Sequence, residues 1–415
     1  MVDLLDCTVM PYAWGSRTAM AELTGRASPS PGPEAELWMG AHPMAPSRVS
    51  RGAPIPGPAH APAQSLADVI AESATQELGA EVAASFGPRL PFLLKVLAAA
   101  QPLSLQAHPN EAQAKVGFDD EDRRGIARNA PTRSYKDSSH KPELLCALVP
   151  VEALCGFRRA ADTLRLFDDL AVPDLQPLLA SLRGSCDSRG LAAVFGMLMT
   201  LSPAESARIV RATVAACAKR SGSGSSFARE YAWAVRLDAL YPGDVGVVSA
   251  LLLNLVHLEP GEALYLGAGN LHAYLEGVGV EIMASSDNVL RGGLTKKHVD
   301  VPELMRVLDF SDGPASVVRA RRVDEHERVW DTPAREFRLS AIDVAAAGSV
   351  ARDVRGPEIL LCTKGSVVVA PQDGSPEVVL PSGSSAFVPA STGRYRLRPA
   401  AGASAYLYRA TVNLT

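Results

Sequence analysis

Gln106 and His108 stand two residues apart in the run Ser104-Leu-Gln-Ala-His-Pro109, which a proline ends. In an extended chain that spacing puts both side chains on one face, and each offers a lone pair to a metal. Glu143 closes the run His140-Lys-Pro-Glu143, where the proline holds Lys141 extended. His272 enters from a strand after the turn Gly267–Asn270. Two imidazoles, one carboxylate and one amide oxygen suit zinc without thiolates, with another divalent ion as the alternative. Spacing alone leaves open whether the four converge. Histidine is scarce, at eight in the chain, and none lies between His140 and His257. The plainer readings are a coincidental strand pair for Gln106 and His108 and packed or surface roles for His42, His257 and His298. Lys95 would snorkel from an apolar strand, and Trp14 and Trp38 would be core or pocket wall.

The elements that must position these residues fall into four stretches. Up to about Val151, short apolar runs alternate with turn residues. A proline-rich excursion (Pro46, Pro54, Pro56, Pro58, Pro62) reads as a surface loop, Ser65–Asp68 as a capping box opening a helix to about Leu78, and Leu90–Leu97 as a buried strand. Five amphipathic helices are expected at Ala161–Leu170, Pro173–Leu182, Leu191–Leu201, Pro203–Lys219 and Arg229–Leu240. The Ser221–Ser226 glycine-serine run is a flexible connection, since it lacks the lysine of a phosphate loop. Strand and turn chemistry returns from Val245 to Leu294, with strands at Glu262–Leu266 and Leu271–Leu275 and a helix around Pro302–Leu308. From Val323 onward the chain reads as strand and turn throughout.

Gly261–Tyr274 aligns without gaps against Gly383–Arg396, which puts His272 opposite Arg394. The expected fold is therefore mixed α and β, mainly β: two cupin-like β-barrel or jelly-roll units with an α-helical insertion. The boundaries are a discontinuous catalytic unit at 1–155 and 243–320, the helical insert at 156–242, and a C-terminal β unit at 321–415 without a metal site.

With 415 residues, 47% hydrophobic and 21% charged, the chain can bury a large core and is not disordered. A net charge of −4 argues against a nucleic-acid partner. The six cysteines are scattered with no CxxC, which excludes a disulfide framework and makes a reducing cytoplasm the expected compartment. The most apolar run, Val245–Leu258, is interrupted by Asn254 and His257 and falls short of the ~20 residues of a membrane span. The start, Met-Val-Asp-Leu-Leu-Asp, has no basic segment of the kind that opens a secretory signal.

Across nearly its whole length, and in order, the chain resembles the type I phosphomannose isomerases. The segments that carry this are Tyr12–Gly15, Glu36–Pro43, Leu103–Pro109, His140–Glu143, Pro260–Gly277 and Glu281–Thr295. The resemblance implies one zinc per chain held by Gln106, His108, Glu143 and His272, and an active-site Arg291. It also implies a sugar-phosphate substrate, mannose 6-phosphate, interconverted with fructose 6-phosphate by C1–C2 proton transfer through an enediol. Glu281 and Lys141 are the expected proton carriers, with a water on zinc as a third. Tyr274, Lys141 and Trp14 would line the pocket, and Lys95, Ser104 and Lys297 would meet phosphate. The family commonly has Asn where this chain has Ser139, and Thr-Pro-Lys where it has Thr295-Lys-Lys297. The rivals are an iron-dependent oxygenase and a sugar-responsive binding protein without catalysis. Neither has reason to hold Arg291, Glu281 and Lys141 beside a redox-inert metal.

Overall fold

The computed structural model describes residues 1–49, 64–400 and 402–414. An eleven-stranded sheet is organised around one long strand, His272–Ala284. Its first part pairs with Val151–Phe157 and meets Leu105–Ala107 at His272. Its second part lies between Phe92–Ala99 and Glu143–Ala147. The change of partners falls at a register irregularity after Tyr274, next to Gly277. Gly277 has φ +127, and a Cβ there would come within 2.6 Å of the Pro150 carbonyl oxygen, so only glycine fits.

The helical block lies between the strands Val151–Phe157 and Leu253–Leu258. Its helices are Ala160–Leu170, Gln176–Gly184, Ser188–Met199, Pro203–Arg220 and Ala228–Leu240. Pro173 opens a single 3-10 turn rather than the helix itself. Ser202 and Glu205 form a reciprocal capping box ahead of the longest helix, with Pro203 at its first position. Leu166, Phe195, Val210 and Leu237 from this block share one core with Leu105, Ala107, Leu271 and Leu290 from the sheet.

A seven-stranded and a four-stranded sheet make up most of the C-terminal region. The strand Asp3–Leu4 pairs with Ser385–Val388, so the first strand of the chain forms an edge of the last region's sheet. Trp330, Phe337, Leu339 and Tyr408 pack against Leu94, Val96, Leu144 and Ile282 of the larger sheet. The helices thus cover one face of the sheet's first part and the C-terminal strands one face of its second, while Leu97, Leu145, Ala153, Val256, Leu264 and Tyr274 from both parts share a core of their own.

Several expectations need correction. The fold is mixed and mainly sheet as expected, at 31% strand and 30% helix, but no sheet closes into a barrel among the described residues. The larger sheet's apolar faces are buried by packing, so closure is not needed to cover them. The helix expected to reach Leu78 breaks at Ser73, and the Ser65 side chain accepts from Ala67 without a reciprocal box. Val245–Leu258 begins with a short helix, Gly246–Ala250. The strand placed at Leu271–Leu275 runs on to Ala284 because its apolar face continues through Val280 and Ile282. Of the proline-rich excursion, Pro54, Pro56, Pro58 and Pro62 lie outside the described residues. Both segments of the internal repeat fold as strand, turn and strand. Arg394, however, is 55% exposed and pairs with Asp353 at 3.2 Å.

Candidate active site

Sheet register brings the distant segments together. Gln106 lies directly opposite His272 on one side and Arg291 on the other. Directly opposed residues project to the same face, so these three share it, and His108 follows two positions on. Glu143 begins the strand on the far side of the long strand, opposite Met283. His108, Glu143 and His272, all buried, present ligand-type atoms within 4.8 Å of one another.

The protons in this cluster can be located. His108 Nδ1 lies 2.7 Å from the Asn288 carbonyl, and His272 Nδ1 lies 2.9 Å from the Asn270 carbonyl. A carbonyl only accepts, so each Nδ1 carries its hydrogen and each Nε2 of a neutral ring carries a bare lone pair. Burial pushes His108 down to about 4, against the pull of Glu143, so its ring is neutral. The two Nε2 atoms face Glu143 oxygens at 3.3 and 3.5 Å. Neither nitrogen, nor Glu143 Oε2, has a hydrogen-bond partner among the described residues. Burial favours the neutral acid, yet the Lys141 ammonium, 3.0 Å away, holds Glu143 well below the usual carboxylate range. With each Nδ1 hydrogen engaged by a backbone carbonyl, the Nε2 lone pair of a neutral ring is turned toward the carboxylate. That arrangement is repulsive by itself and fits a divalent cation.

A second row crosses four strands: Trp38, Lys95, Glu281 and Leu145 are successive register partners. Lys95 donates to Glu281 at 3.2 Å and lies 3.7 Å from Glu36, whose carboxylate also accepts the Trp38 indole N–H at 2.6 Å. The ammonium sits 5.3 Å from the Trp38 ring centroid. Burial would lower the Lys95 pKa, but Glu36, Glu281 and Glu143 override it and push it up. Burial raises Glu281 despite Lys95, and Glu143 and Glu36 add to the rise. Tyr274 is buried, and burial together with Glu281 and Glu143 keeps its phenol protonated.

The opposite side of the site is cationic. Arg291 is half-buried and forms no ion pair among the described residues; burial lowers its pKa. Lys297 is lowered by burial, then by Arg291 and Lys136. Like charges without a carboxylate between them make a site for an anion.

A family model described as "Phosphomannose isomerase type I, catalytic domain" matches residues 2–160. The mannose-6-phosphate isomerase of Escherichia coli K12 is 39% identical over 385 residues, covering 92% of this chain and 94% of that protein. The chain belongs to the type I phosphomannose isomerase family. The human mannose-6-phosphate isomerase is 31% identical over 93% of both chains. A crystal structure of the Salmonella typhimurium mannose 6-phosphate isomerase, bound to fructose 6-phosphate and zinc, is similar with a TM-score of 0.88 at 36% identity. That likeness covers 100% of each chain.

Within this phosphomannose isomerase fold, Gln106, His108, Glu143, His272, Lys141, Tyr274 and Glu281 lie close to one another. Lys95 does not snorkel to the surface: it is only 6% exposed and lies within 4 Å of two carboxylates. Trp14 stacks on Tyr12 at the rim, with centroids 5.9 Å apart. Ser104 is half-buried in the loop before Leu105–Ala107. The two glycines after Arg291 pack against the protein, since a Cβ would meet Leu271 Cδ1 at 3.0 Å from Gly292 and the Gly246 Cα at 2.7 Å from Gly293. Ser139 is engaged by Asn288 and Ser286 through its backbone carbonyl. Sequence reasoning missed Glu36 and Lys136. Both stand inside quoted or adjacent motif runs, Glu36-Leu-Trp and Tyr135-Lys-Asp, but neither has a spacing that announces a role.

Proposed function

We propose that this chain is a zinc-dependent aldose–ketose isomerase that interconverts mannose 6-phosphate and fructose 6-phosphate. The observation that carries the reading is the buried His108, Glu143 and His272 cluster, in which each ring gives its Nδ1 hydrogen to a backbone carbonyl and turns Nε2 to a Glu143 oxygen at 3.3 and 3.5 Å. Gln106, His108, Glu143 and His272 would hold the zinc, with Gln106 contributing its amide oxygen. Bound there, zinc supplies Lewis acidity toward the substrate's carbonyl or hydroxyl oxygen.

The remaining work falls to side chains of the protein. Moving a proton between C1 and C2 through an enediol leaves partial negative charge on the neighbouring oxygen. Arg291, always charged and without a competing carboxylate, presents its planar fork to that oxygen. Glu281, raised by burial, is placed to take and return the proton, with Lys141 as its counterpart at the other oxygen. Lys95 holds the Glu281 carboxylate in place. Lys297, supported by Lys136 and Ser104, receives the phosphate as point charge and hydroxyl donor. Tyr274 and Trp14 wall the sugar.

The same reading takes the chain as a discontinuous catalytic unit (1–155, 243–320), a helical insert (156–242) and a cupin-like C-terminal unit (321–415), working in the cytoplasm. A coupled isomerase assay on mannose 6-phosphate, before and after chelation and after zinc return, tests it. Turnover that survives complete removal of metal would overturn it.

A further inference from the structure

Between the loop that leads into Glu143 and the loop whose backbone holds the His108 ring, Asp137 and Asn288 grip each other's chain. The Asn288 side-chain oxygen accepts from the backbone N–H of Lys136 at 2.7 Å and of Asp137 at 3.2 Å. Its amide nitrogen donates to the Asp137 and Ser139 carbonyls, both at 2.8 Å. In return the Asp137 carboxylate accepts from the Asp287 N–H at 2.9 Å and from the Ser286 hydroxyl at 2.9 and 3.1 Å. It also accepts from the Ser139 N–H at 2.9 Å, which tightens its own loop. Asn288 and Ser286 are fully buried. The hydrogen-bonding capacity of the Asn288 amide is thus filled by the backbone of the other loop.

The two loops have different cargo. The 136–139 segment leads directly into Lys141-Pro-Glu143. The 286–288 segment carries the carbonyl that takes the His108 Nδ1 hydrogen and leads into Arg291. One residue, Asn288, therefore reaches the Glu143 loop through its side-chain amide and His108 through its backbone carbonyl.

We propose that Asp137 and Asn288 are the positioning residues of the metal centre. Their reciprocal clamp fixes the His108 tautomer and sets the distance between His108 and Glu143. The inference rests on the zinc reading above and extends it to residues that do not touch the ion. Partners of this kind beyond the ligands change metal affinity by about 10–100-fold when removed. A clamp that only stabilised the fold would change the melting temperature of metal-free protein and leave affinity intact.

The test measures zinc affinity by chelator competition on purified full-length protein, with the melting temperature of the metal-free form alongside. The variants are Asp137→Asn, which keeps the shape but presents a donor to the Asp287 N–H, and the milder Ser286→Ala. The expected result is a zinc dissociation constant weakened about 10–100-fold in Asp137→Asn and less in Ser286→Ala, with little change in metal-free melting temperature. If both variants bind zinc as tightly as the unaltered protein, or lose affinity only in step with metal-free stability, the clamp proposal is wrong and the zinc reading stands. If the unaltered protein itself binds no zinc tightly, the functional reading fails first and the clamp with it.

Discussion

Lys95 and Glu281 face each other at directly opposed positions of neighbouring strands, with the ammonium 3.2 Å from the carboxylate and both side chains buried. Orphaning one member of a buried pair typically costs about 3–5 kcal/mol. Glu281→Gln should cost less, because Glu36 still faces Lys95. Its effect should fall on turnover: kcat is expected to drop by about 10²–10⁴ as the proton carrier is lost. Steady-state kinetics and urea unfolding of the same variant check both halves. A normal kcat would remove Glu281 from proton transfer.

His108→Ala and His272→Ala should each lose tightly held zinc, and zinc should restore turnover to chelated wild type but not to these variants. Elemental analysis of dialysed protein should give one zinc per chain. Arg394, the counterpart of His272 in the repeat, is engaged at the surface with Asp353. Arg394→Ala should leave zinc content unchanged and cost at most about 1 kcal/mol. A reproducible stoichiometry of two would contradict this account of the C-terminal region.

Arg291 has no acidic partner among the described residues, which removes the structural salt bridge as an explanation for its burial. Arg291→Ala should lower kcat by about 10²–10³ and change KM less, with lysine rescuing only in part. Zinc content and Tm should stay near wild type. A raised KM with unchanged kcat would assign the side chain to uniform substrate binding.

His140 and Glu336 meet at 2.7 Å, joining the metal-site loop to the C-terminal region. The hydrogen bond to Glu336 raises His140 above its ordinary 6.5. Against burial, the same bond lowers Glu336 below its ordinary 4.5. The histidine contribution is full below about pH 6.5 and lost as pH rises through its raised value. The glutamate contribution is full above about pH 4.5 and lost as pH falls through its depressed value. The pair therefore stabilises most between these pH values. The stability difference between wild type and Glu336→Gln should peak there and shrink at pH 9; a difference that is flat from pH 5 to 9 would refute the pairing.

Much of the site was legible because its residues lie in short local runs. The period-two spacing of Gln106 and His108 holds in the sheet, and the helical periodicity of 160–240 marks five helices within a few residues. What spacing could not supply was register. Nothing local tells that Gln106 sits between His272 and Arg291, or that Lys95 opposes Glu281. Lys95 was misplaced for that reason: an isolated lysine in an apolar strand gives no hint of two carboxylates on neighbouring strands. The closed barrels were expected from strand and turn patterning, which does not reveal whether a sheet's faces are covered by itself or by other elements.

The pairing of Asp3–Leu4 with Ser385–Val388 also sets a schedule for synthesis. The first strand leaves the ribosome with its partner still untranslated, and at about 5–20 residues per second that wait is on the order of tens of seconds. During it the nascent catalytic segments can pack with the helices, while the terminal strand stays a loose end. The last sheet gains this edge strand only when the oldest part of the chain meets one of the newest, so loop closure over nearly the whole polypeptide belongs among the late steps of folding.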